Sequence, residues 1–307
     1  MHNLQIVLPS LGHIYYPGKL EILVVDDHSS DETARIAESY GVQTLRLRND
    51  IPSGWKGKPY ACHQGALLAK GDWLLFTDAD TVHVREGIAK AICYAQTTNL
   101  DGLSLFLAHQ SPSRINNLVL DAAFAGLFAG WGTTNDMLNG QFILVRREVY
   151  FDSGGFASVR NEALEDVALG HLFARLGYHL PVMRGDDIAV VHMYATYKQM
   201  FNGLSRLGSG TLRWQGMWVS LTALHIAALV SPLVTLIGVL FGRLKWFWLP
   251  VTWSMASLSL LPWSRRSGDD KFALLAPFGA FIVLLALIYG LISRILGAGV
   301  LWKGRRV

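Results

Sequence analysis

The sequence predicts an α/β domain with a parallel or mixed sheet, followed by a region of membrane helices. First, apolar β-rich runs alternate with helical segments through residues 1–215. Second, residues 216–307 contain three long windows without a charged side chain. Third, 51% of the 307 residues are hydrophobic and only 16% are charged, whereas soluble proteins carry about 25% charged residues. The composition excludes a disordered chain and disfavours a wholly soluble one.

The elements of the first region follow from local patterns. Strands are predicted where short β-rich runs occur, and helices where longer segments end at a glycine, as at Gly41, Gly71 and Gly177. The predicted strands are 21–25, 43–47, 73–77, 102–108 and 142–145. The predicted helices are 31–40, 59–69, 84–94 and 164–176. Ligands of such sheets bind beyond the carboxyl ends of the strands.

Two acidic pairs lie at predicted strand ends. Asp78 and Asp80 follow the apolar run 74–77, and their hard oxygens could hold Mg²⁺ or Mn²⁺ together with a diphosphate and water. An ordinary solvated turn is the alternative. Asp26 and Asp27 end an earlier strand. They could contact a base or ribose, or the polar residues around them could simply cap the next helix.

Two further segments carry possible chemistry. Glu165 and Asp166 begin a predicted helix, where a carboxylate could act as a general base towards an acceptor hydroxyl. The alternative is that acids are simply favoured at a helix N-terminus. The segment 54–58 reads Gly-Trp-Lys-Gly-Lys. Its glycines would let the backbone approach a phosphate and Lys58 would supply charge, although a plain surface loop has the same composition.

Charge and cysteine content limit the partners. The net charge is +4, but residues 216–307 carry nine basic and two acidic side chains, so the remainder sums to −3. The basic character therefore belongs to the apolar tail and does not indicate nucleic acid. Cys62 and Cys93 lie far apart, which predicts neither a zinc module nor a disulfide framework and favours a reducing compartment.

The tail has the pattern of membrane helices. Its uncharged windows are 218–241, 246–264 and 272–293. A bilayer span needs about 20 apolar residues, and seven of the ten tryptophans lie at or after Trp214, as in an aromatic belt. Buried core helices are the alternative. Pro250 and Pro262 weaken the middle window, which could be re-entrant or interfacial, so two to three transmembrane helices are predicted.

The segment 196–215 is predicted to be an amphipathic interfacial helix. Tyr197, Met200, Phe201 and Leu204 recur at helical spacing, so their face could lie in the headgroup plane. Packing on the sheet is the alternative.

In order along the chain, these motifs resemble those of family 2 glycosyltransferases. The matching segments are 23–34 (LVVDDHSSDETA), 54–58 (GWKGK), 65–66, 69–71, 74–81 (LLFTDADT), 154–156 (GGF) and 165–169 (EDVAL). The Gly-Trp-x-Gly-Lys stretch with apolar spans behind it is similar to hopanoid- and carotenoid-associated members. Ceramide glucosyltransferases share a related layout.

The resemblance implies a GT-A-like nucleotide-sugar-binding domain over residues 1–195, the interfacial segment 196–215 and a membrane region 216–307. It implies donor-binding roles for Asp26, Asp27, Trp55, Lys58 and Asp78, metal ligation by Asp80 with Asp78, and catalysis by Asp166 with Glu165 beside it. The metal would be Mg²⁺ or Mn²⁺. Such enzymes invert the anomeric centre in a single displacement.

Two departures from the family pattern matter. Members begin with a strand that lines the nucleotide pocket, whereas residues 3–27 here correspond to the helix and second strand that follow it. We therefore expect the first strand to be missing, with 6–10 as a possible substitute. Processive members carry Gln-x-x-Arg-Trp, which is incomplete before Arg213 and Trp214, so transfer of one sugar is favoured.

The sequence thus predicts a hexosyltransferase-type enzyme that uses a nucleotide-sugar donor, a lipid-like acceptor and a metal, and binds no nucleic acid. It predicts a multi-pass protein of the bacterial inner membrane with a cytoplasmic catalytic domain. Three full spans would place Arg305 and Arg306 outside, which strains the positive-inside rule, whereas a re-entrant segment would not. The alternatives are a truncated inactive scaffold and a processive polysaccharide synthase.

Overall fold

The computed structural model describes residues 2–29, 31–131, 136–162, 164–210, 217–302 and 305–306. The chain divides into two compact units. The first comprises Met1–Ala108 and Asn135–His192, and the second comprises His109–Thr134 and Met193–Val307. The segment 109–134 therefore groups with the C-terminal region, whereas the sequence analysis places it within 1–195. The predicted domain limits stay predictions.

The strands are short, and most belong to the first unit. They are β1 (Leu23–Asp26), β2 (Gln43–Arg46), β3 (Trp73–Thr77), β4 (Thr81–His83), β5 (Gly102–Phe106), β6 (Ala108–Gln110), β7 (Phe142–Arg146), β8 (Val182–Arg184), β9 (Ala189–His192), β10 (Leu301–Trp302) and β11 (Arg305–Arg306). The order β3-β7-β5-β8 forms one sheet. In it β7 is antiparallel to β3 and β5, and β5 is parallel to β8. The predicted parallel or mixed sheet is therefore a mixed one.

The α-helices of the described residues are α1 (His2–Gly12), α2 (Thr33–Ser39), α3 (Gly57–Leu68), α4 (Gly87–Thr97), α5 (Arg114–Trp131), α6 (Arg147–Asp152), α7 (Gly155–Ser158), α8 (Glu165–Arg175), α9 (Tyr197–Gly210), α10 (Met217–Leu240), α11 (Trp248–Arg266) and α12 (Ala276–Ile295). Of these, α2, α3, α4 and α8 match the four helices predicted for the first region to within three residues at each end. Gly41 and Gly177 have positive φ angles of 69° and 85° after α2 and α8, as expected for glycines that end helices.

One apolar core fixes the elements that later carry the candidate site. It brings together Ala66 of α3, Leu74 of β3, Ile143 of β7, Tyr150 of α6 and Phe173 of α8. Side chains in such cores are close-packed and resist displacement. The end of β3 and the beginnings of α3 and α8 are therefore supported by a common framework.

The N-terminal part begins with a helix followed by a strand, as the sequence predicts for residues 3–27. Residues 6–10 lie inside α1 and do not form a substitute strand. β1 and β2 form a parallel two-stranded sheet in which Val24 aligns with Thr44. The absence of a preceding first strand stays a prediction.

The second unit is a cluster of helices. Its core joins Val119 of α5, Leu204 of α9, Leu229 of α10, Leu260 of α11 and Val283 of α12. Within the described residues, two helices are long and apolar enough to cross a membrane, Val219–Leu240 and Asp270–Ile295. The second of these includes the 3-10 helix Asp270–Leu275 that precedes α12. The middle window, which forms α11, is not among them.

The helical part of the predicted interfacial segment is α9, while residues 211–215 lie outside the described residues. Two residues of the apolar face of α9, Met200 and Leu204, are buried in the helical core against α12, whereas Tyr197 of the same face is 49% exposed. Glycines permit this contact. A Cβ on Gly290 would lie 1.9 Å from the Ser205 carbonyl oxygen, and one on Gly208 2.4 Å from that of Leu287. The interfacial role of the segment stays a prediction.

Candidate active site

The Asp78-x-Asp80 turn connects β3 to β4. The backbone N–H of Thr81 donates to the Asp78 carbonyl at 3.1 Å, and the backbone N–H of His192 donates to the Asp80 carbonyl at 2.8 Å. Antiparallel pairing of β4 with β9 holds the far side of the turn. Both aspartates therefore lie just beyond the carboxyl end of β3, where the sequence predicts them.

Asp26 and Asp27 form a separate group at the end of β1. Asp26 is 8% exposed, and its carboxylate accepts a hydrogen bond from the Ser29 backbone N–H at 3.1 Å. Asp27 lies 3.0 Å from the Nδ1 atom of His28. The Nε2 atom of that histidine lies 2.9 Å from the Asn49 carbonyl oxygen. Asp26 thus stabilises its turn, while Asp27 keeps a partly exposed carboxylate.

The basic loop brings Lys58 to the acidic turn. Lys58 lies in the first turn of α3, and its Nζ atom is 2.8 Å from Asp78 Oδ1 and 3.3 Å from Glu165 Oε1. Just before it, the Trp55 ring contacts His63 at a centroid distance of 5.3 Å and Tyr60 at 5.5 Å. The loop therefore brings the Lys58 ammonium to the end of β3, while the Trp55 ring packs against side chains of α3.

Glu165 and Asp166 begin α8, and both are oriented by specific contacts. Glu165 is 6% exposed and faces Lys58. One oxygen of Asp166 accepts a 2.9 Å hydrogen bond from the Gly140 backbone N–H, and the other accepts one of 2.9 Å from that of Val167. These two contacts fix the direction of the carboxylate more tightly than a simple helix-end position would.

The carboxylates and Lys58 shift one another's pKa. The pKa of Asp166 is raised, chiefly by burial and further by the Glu165 carboxylate, while Lys58 opposes the rise. Burial would lower the pKa of Lys58, but Asp78, Glu165 and Asp166 outweigh it and raise that pKa well above its usual range. Because the Lys58 side chain remains 40% exposed, these neighbouring charges matter more than its burial.

The acidic turn has ligands suited to a divalent cation. Within the described part of the chain, His, Cys, Asp and Glu side chains form no group of three or more arranged around a metal position. Cations that bind phosphates need only one or two protein carboxylates, since phosphate and water supply the other ligands. Asp78 and Asp80 on one turn offer that set, so their chemistry fits Mg²⁺ or Mn²⁺.

The structure also identifies residues that the sequence analysis did not select. Asn139, Gly140 and Gln141 precede β7 and connect the two halves of the site. Gly140 contacts Asp166, and the Gln141 carbonyl accepts from the Thr77 hydroxyl at 3.1 Å. An Asn-Gly pair before an apolar run is a turn signal, so the loop was visible in sequence, but its neighbours were not.

A family model supplies the decisive comparison. The model described as "Glycosyl transferase family 2" matches residues 2–168, which is more than half of the chain. The chain belongs to this family. The predicted resemblance and the GT-A-like mixed α/β fold are confirmed.

Curated relatives from the family are carotenoid enzymes by name. The 4,4'-diaponeurosporenoate glycosyltransferase of Staphylococcus aureus (strain USA300) is 27% identical over 215 residues, covering 62% of this chain and 56% of the relative. The protein of the bovine strain RF122 / ET3-1 is also 27% identical, over 216 residues. The match thus spans little more than half the length of these relatives. The predicted similarity to carotenoid-associated members is confirmed.

Solved structures resemble the chain more distantly. Glucosyl-3-phosphoglycerate synthase from Mycobacterium tuberculosis, in complex with Mn²⁺, UDP-glucose and phosphoglyceric acid, aligns with a TM-score of 0.47 at 18% identity. The alignment covers 72% of this chain and 76% of that one. S. aureus TarS 1–349 in complex with UDP-GlcNAc aligns with a TM-score of 0.42 at 15% identity, covering 98% of this chain and 91% of that one.

Proposed function

We propose that this protein is a membrane-bound glycosyltransferase that moves one sugar from a nucleotide-diphosphate sugar to a lipid-like acceptor with inversion. The observation that carries the proposal is the cluster of Lys58, Asp78, Glu165 and Asp166 at one end of the sheet of a family 2 chain. The name of the S. aureus relative, which specifies a carotenoid, supports a lipid-like acceptor.

The donor half of the site consists of the two strand-end carboxylate groups and the basic loop. In this proposal Asp26, Asp27 and Trp55 bind the nucleotide part of the donor. Asp78 and Asp80 would hold the divalent ion. When bound, that ion supplies charge neutralisation on the departing nucleoside diphosphate. Lys58 adds a mobile positive charge near the diphosphate.

The acceptor half provides the base. Asp166 takes the proton from the acceptor hydroxyl while that oxygen attacks the anomeric carbon and the diphosphate leaves from the opposite face. The hydrogen bonds from Gly140 and Val167 support this role because they fix the carboxylate direction. Its raised pKa makes it a stronger base than an ordinary aspartate.

The second unit is proposed to anchor the enzyme in the bacterial inner membrane as a multi-pass protein, with the catalytic unit on the cytoplasmic side. The two long apolar helices support this anchor. So do side chains such as Leu240, Phe241 and Ile295, which are at least 70% exposed. Such surfaces are unfavourable in water and favourable in lipid.

The test is sugar transfer by the full chain in washed membranes. Labelled UDP-, GDP- and dTDP-hexoses are supplied with Mg²⁺ or Mn²⁺, and label is followed into lipid extracts. We expect a metal-dependent product bearing one sugar, and Asp80→Ala should lower turnover by more than about tenfold because it removes a ligand to a charge-neutralising ion. Asp187→Ala removes a 75% exposed carboxylate and serves as the matched control.

Each competing outcome has its own meaning. Transfer without added metal, or an Asp80→Ala variant that keeps more than about a tenth of the turnover, would reject the metal role. Polymeric product would favour a processive synthase, and absence of any transfer would favour an inactive scaffold. Alkaline carbonate extraction of the same membranes should leave the chain in the pellet.

A further inference from the structure

Lys58 occupies an unusual position for a cation. It lies in the first turn of α3, where the helix dipole favours negative rather than positive charge. Lysine there needs compensation from outside the helix, and three carboxylates provide it, those of Asp78, Glu165 and Asp166. The position is therefore explained by the acidic cluster and not by the helix.

The contact with Asp78 uses an oxygen that the proposed metal also needs. Lys58 Nζ is 2.8 Å from Asp78 Oδ1, a distance typical of a charge-assisted hydrogen bond. A divalent ion on the same carboxylate would meet the ammonium at close range, and like charges repel strongly where solvent is partly excluded. The ammonium and the metal therefore compete for Asp78.

The surroundings offer Lys58 a second position. Asp78 and Lys58 are 34% and 40% exposed, whereas Glu165 on the other side is 7% exposed. The ammonium is a compact charge on a flexible four-carbon stem. It can leave Asp78 towards an incoming diphosphate on the open side while Glu165 stays within reach.

We propose that Lys58 is an internal substitute cation, which holds Asp78 in the donor-free protein and releases it to the metal when the nucleoside diphosphate arrives. The inference rests on the proposed function, since it assumes a metal at Asp78 and Asp80. It makes metal and diphosphate binding cooperative. By linkage, each ligand must tighten binding of the other by the same factor.

The test is Mn²⁺ titration of the detergent-solubilised full chain, followed by electron paramagnetic resonance of the free ion. Without nucleotide, Lys58→Met should bind Mn²⁺ about tenfold or more tightly than the unmodified protein, because the competing charge is gone. Lys58→Arg should behave like the unmodified protein. Lys90→Met removes a cation paired with Asp187 at 3.7 Å and is the matched control.

A second titration adds UDP or GDP, whichever the transfer assay selects. The diphosphate should tighten Mn²⁺ binding more in the unmodified protein than in Lys58→Met, because only the former has an ammonium to relocate. Thermal melting confirms that each variant is folded, and Lys58→Gln replaces Lys58→Met if the latter is not.

The outcomes separate this inference from the proposed function. Mn²⁺ binding that disappears in Asp80→Ala but is unchanged or weaker in Lys58→Met would overturn the Lys58 role and leave the metal site intact. If neither the unmodified protein nor Lys58→Met binds Mn²⁺, the metal site and the substitute cation are both rejected.

Discussion

The two units differ in the side chains that they leave on their surfaces. Among the described residues, every large apolar side chain that is at least 60% exposed lies in the second unit, from Ile115 to Leu296. In the first unit the highest values are 51%, at Tyr15, Leu67 and Leu176. The second unit thus exposes larger apolar side chains than the first, and this difference supports the proposed membrane anchor.

The interiors of the two units show a matching contrast. In the second unit, His109 Nε2 lies 3.1 Å from Asp121 Oδ1, and their side chains are 1% and 0% exposed. The Ser267 hydroxyl donates to the other Asp121 oxygen at 2.7 Å. In the first unit, the acidic cluster is partly open to solvent at Asp78 and Lys58. The difference indicates that the buried polar side chains of the second unit join its helices, whereas the polar side chains of the first unit's cluster are accessible to ligands.

The largest expected effect is on the rate of sugar transfer, after a substitution in the cluster of Lys58, Asp78, Glu165 and Asp166. Asp166→Asn should reduce sugar transfer by about 10²–10⁴-fold, since asparagine cannot accept the proton. Donor and metal binding should persist, because asparagine keeps the size and can accept the Gly140 hydrogen bond. Steady-state rates and nucleotide binding by calorimetry check both statements.

The pH dependence supplies the control for Asp166. A pKa raised by folding means that the folded chain binds this proton more tightly than the unfolded chain, so the ionised group lowers stability as pH rises through the raised pKa. Asp166→Asn should therefore melt no lower than the unmodified protein near neutral pH. Activity of the unmodified enzyme should fall as pH drops through that pKa. A near-normal rate for Asp166→Asn would place the base elsewhere, first at Glu165.

The next effect is on the stability of the second unit, where Asp121 contacts His109 and Ser267. Asp121→Ala would leave the buried His109 and the partly buried Ser267 without their shared partner, which should lower stability by about 2–4 kcal/mol. Thermal unfolding in detergent measures the loss. Asp187→Ala, at an exposed ion pair, should barely change the melting temperature. Equal melting temperatures for both variants would mean that the buried group does not hold the helices together.

The smallest effect is expected at the loop beside Asp166. A Cβ on Gly140 would lie 2.9 Å from Asp166 Oδ2 and 3.0 Å from Lys58 Nζ. Both atoms end flexible side chains and can move aside, so Gly140→Ala should lower turnover by about tenfold through misplacement with little change in melting. Gly12→Ala, where no atom lies within 4 Å of the added Cβ, is the control. A turnover ratio of one would show that this alignment has no catalytic role.

The sequence predicted the features that depend on neighbours along the chain. The apolar run before Asp78 and the glycine after α2 are local signals, and both the strand and the helix end were confirmed. The contact between Lys58 and Asp78 was not predicted, because it depends on how the tertiary fold places the beginning of α3 beside the end of β3. The carboxylates were selected from the sequence as candidate catalytic and binding residues. The Asn139-Gly140 turn was also a visible sequence signal, but its contact with Asp166 depends on the tertiary structure.

Helix α5 was missed for a different reason. Leu118, Val119, Leu120, Ala122 and Ala125 are all buried in the helical core, so the segment is apolar on nearly every side and lacks the periodic stripe that indicates a helix. For α9 the stripe was correctly recognised as helical. Its covering partner, α12, lies about 80 residues further along the chain, where periodicity carries no information.

The glycine contacts between α9 and α12 have a mechanical consequence. At Gly208 and Gly290 the two backbones touch without intervening side chains, so neither helix can rotate or slide without collision. In a bilayer, α12 would adjust its tilt to the local hydrocarbon thickness. Because the backbones of α9 and α12 are in contact at two points, any such adjustment would tilt both helices together.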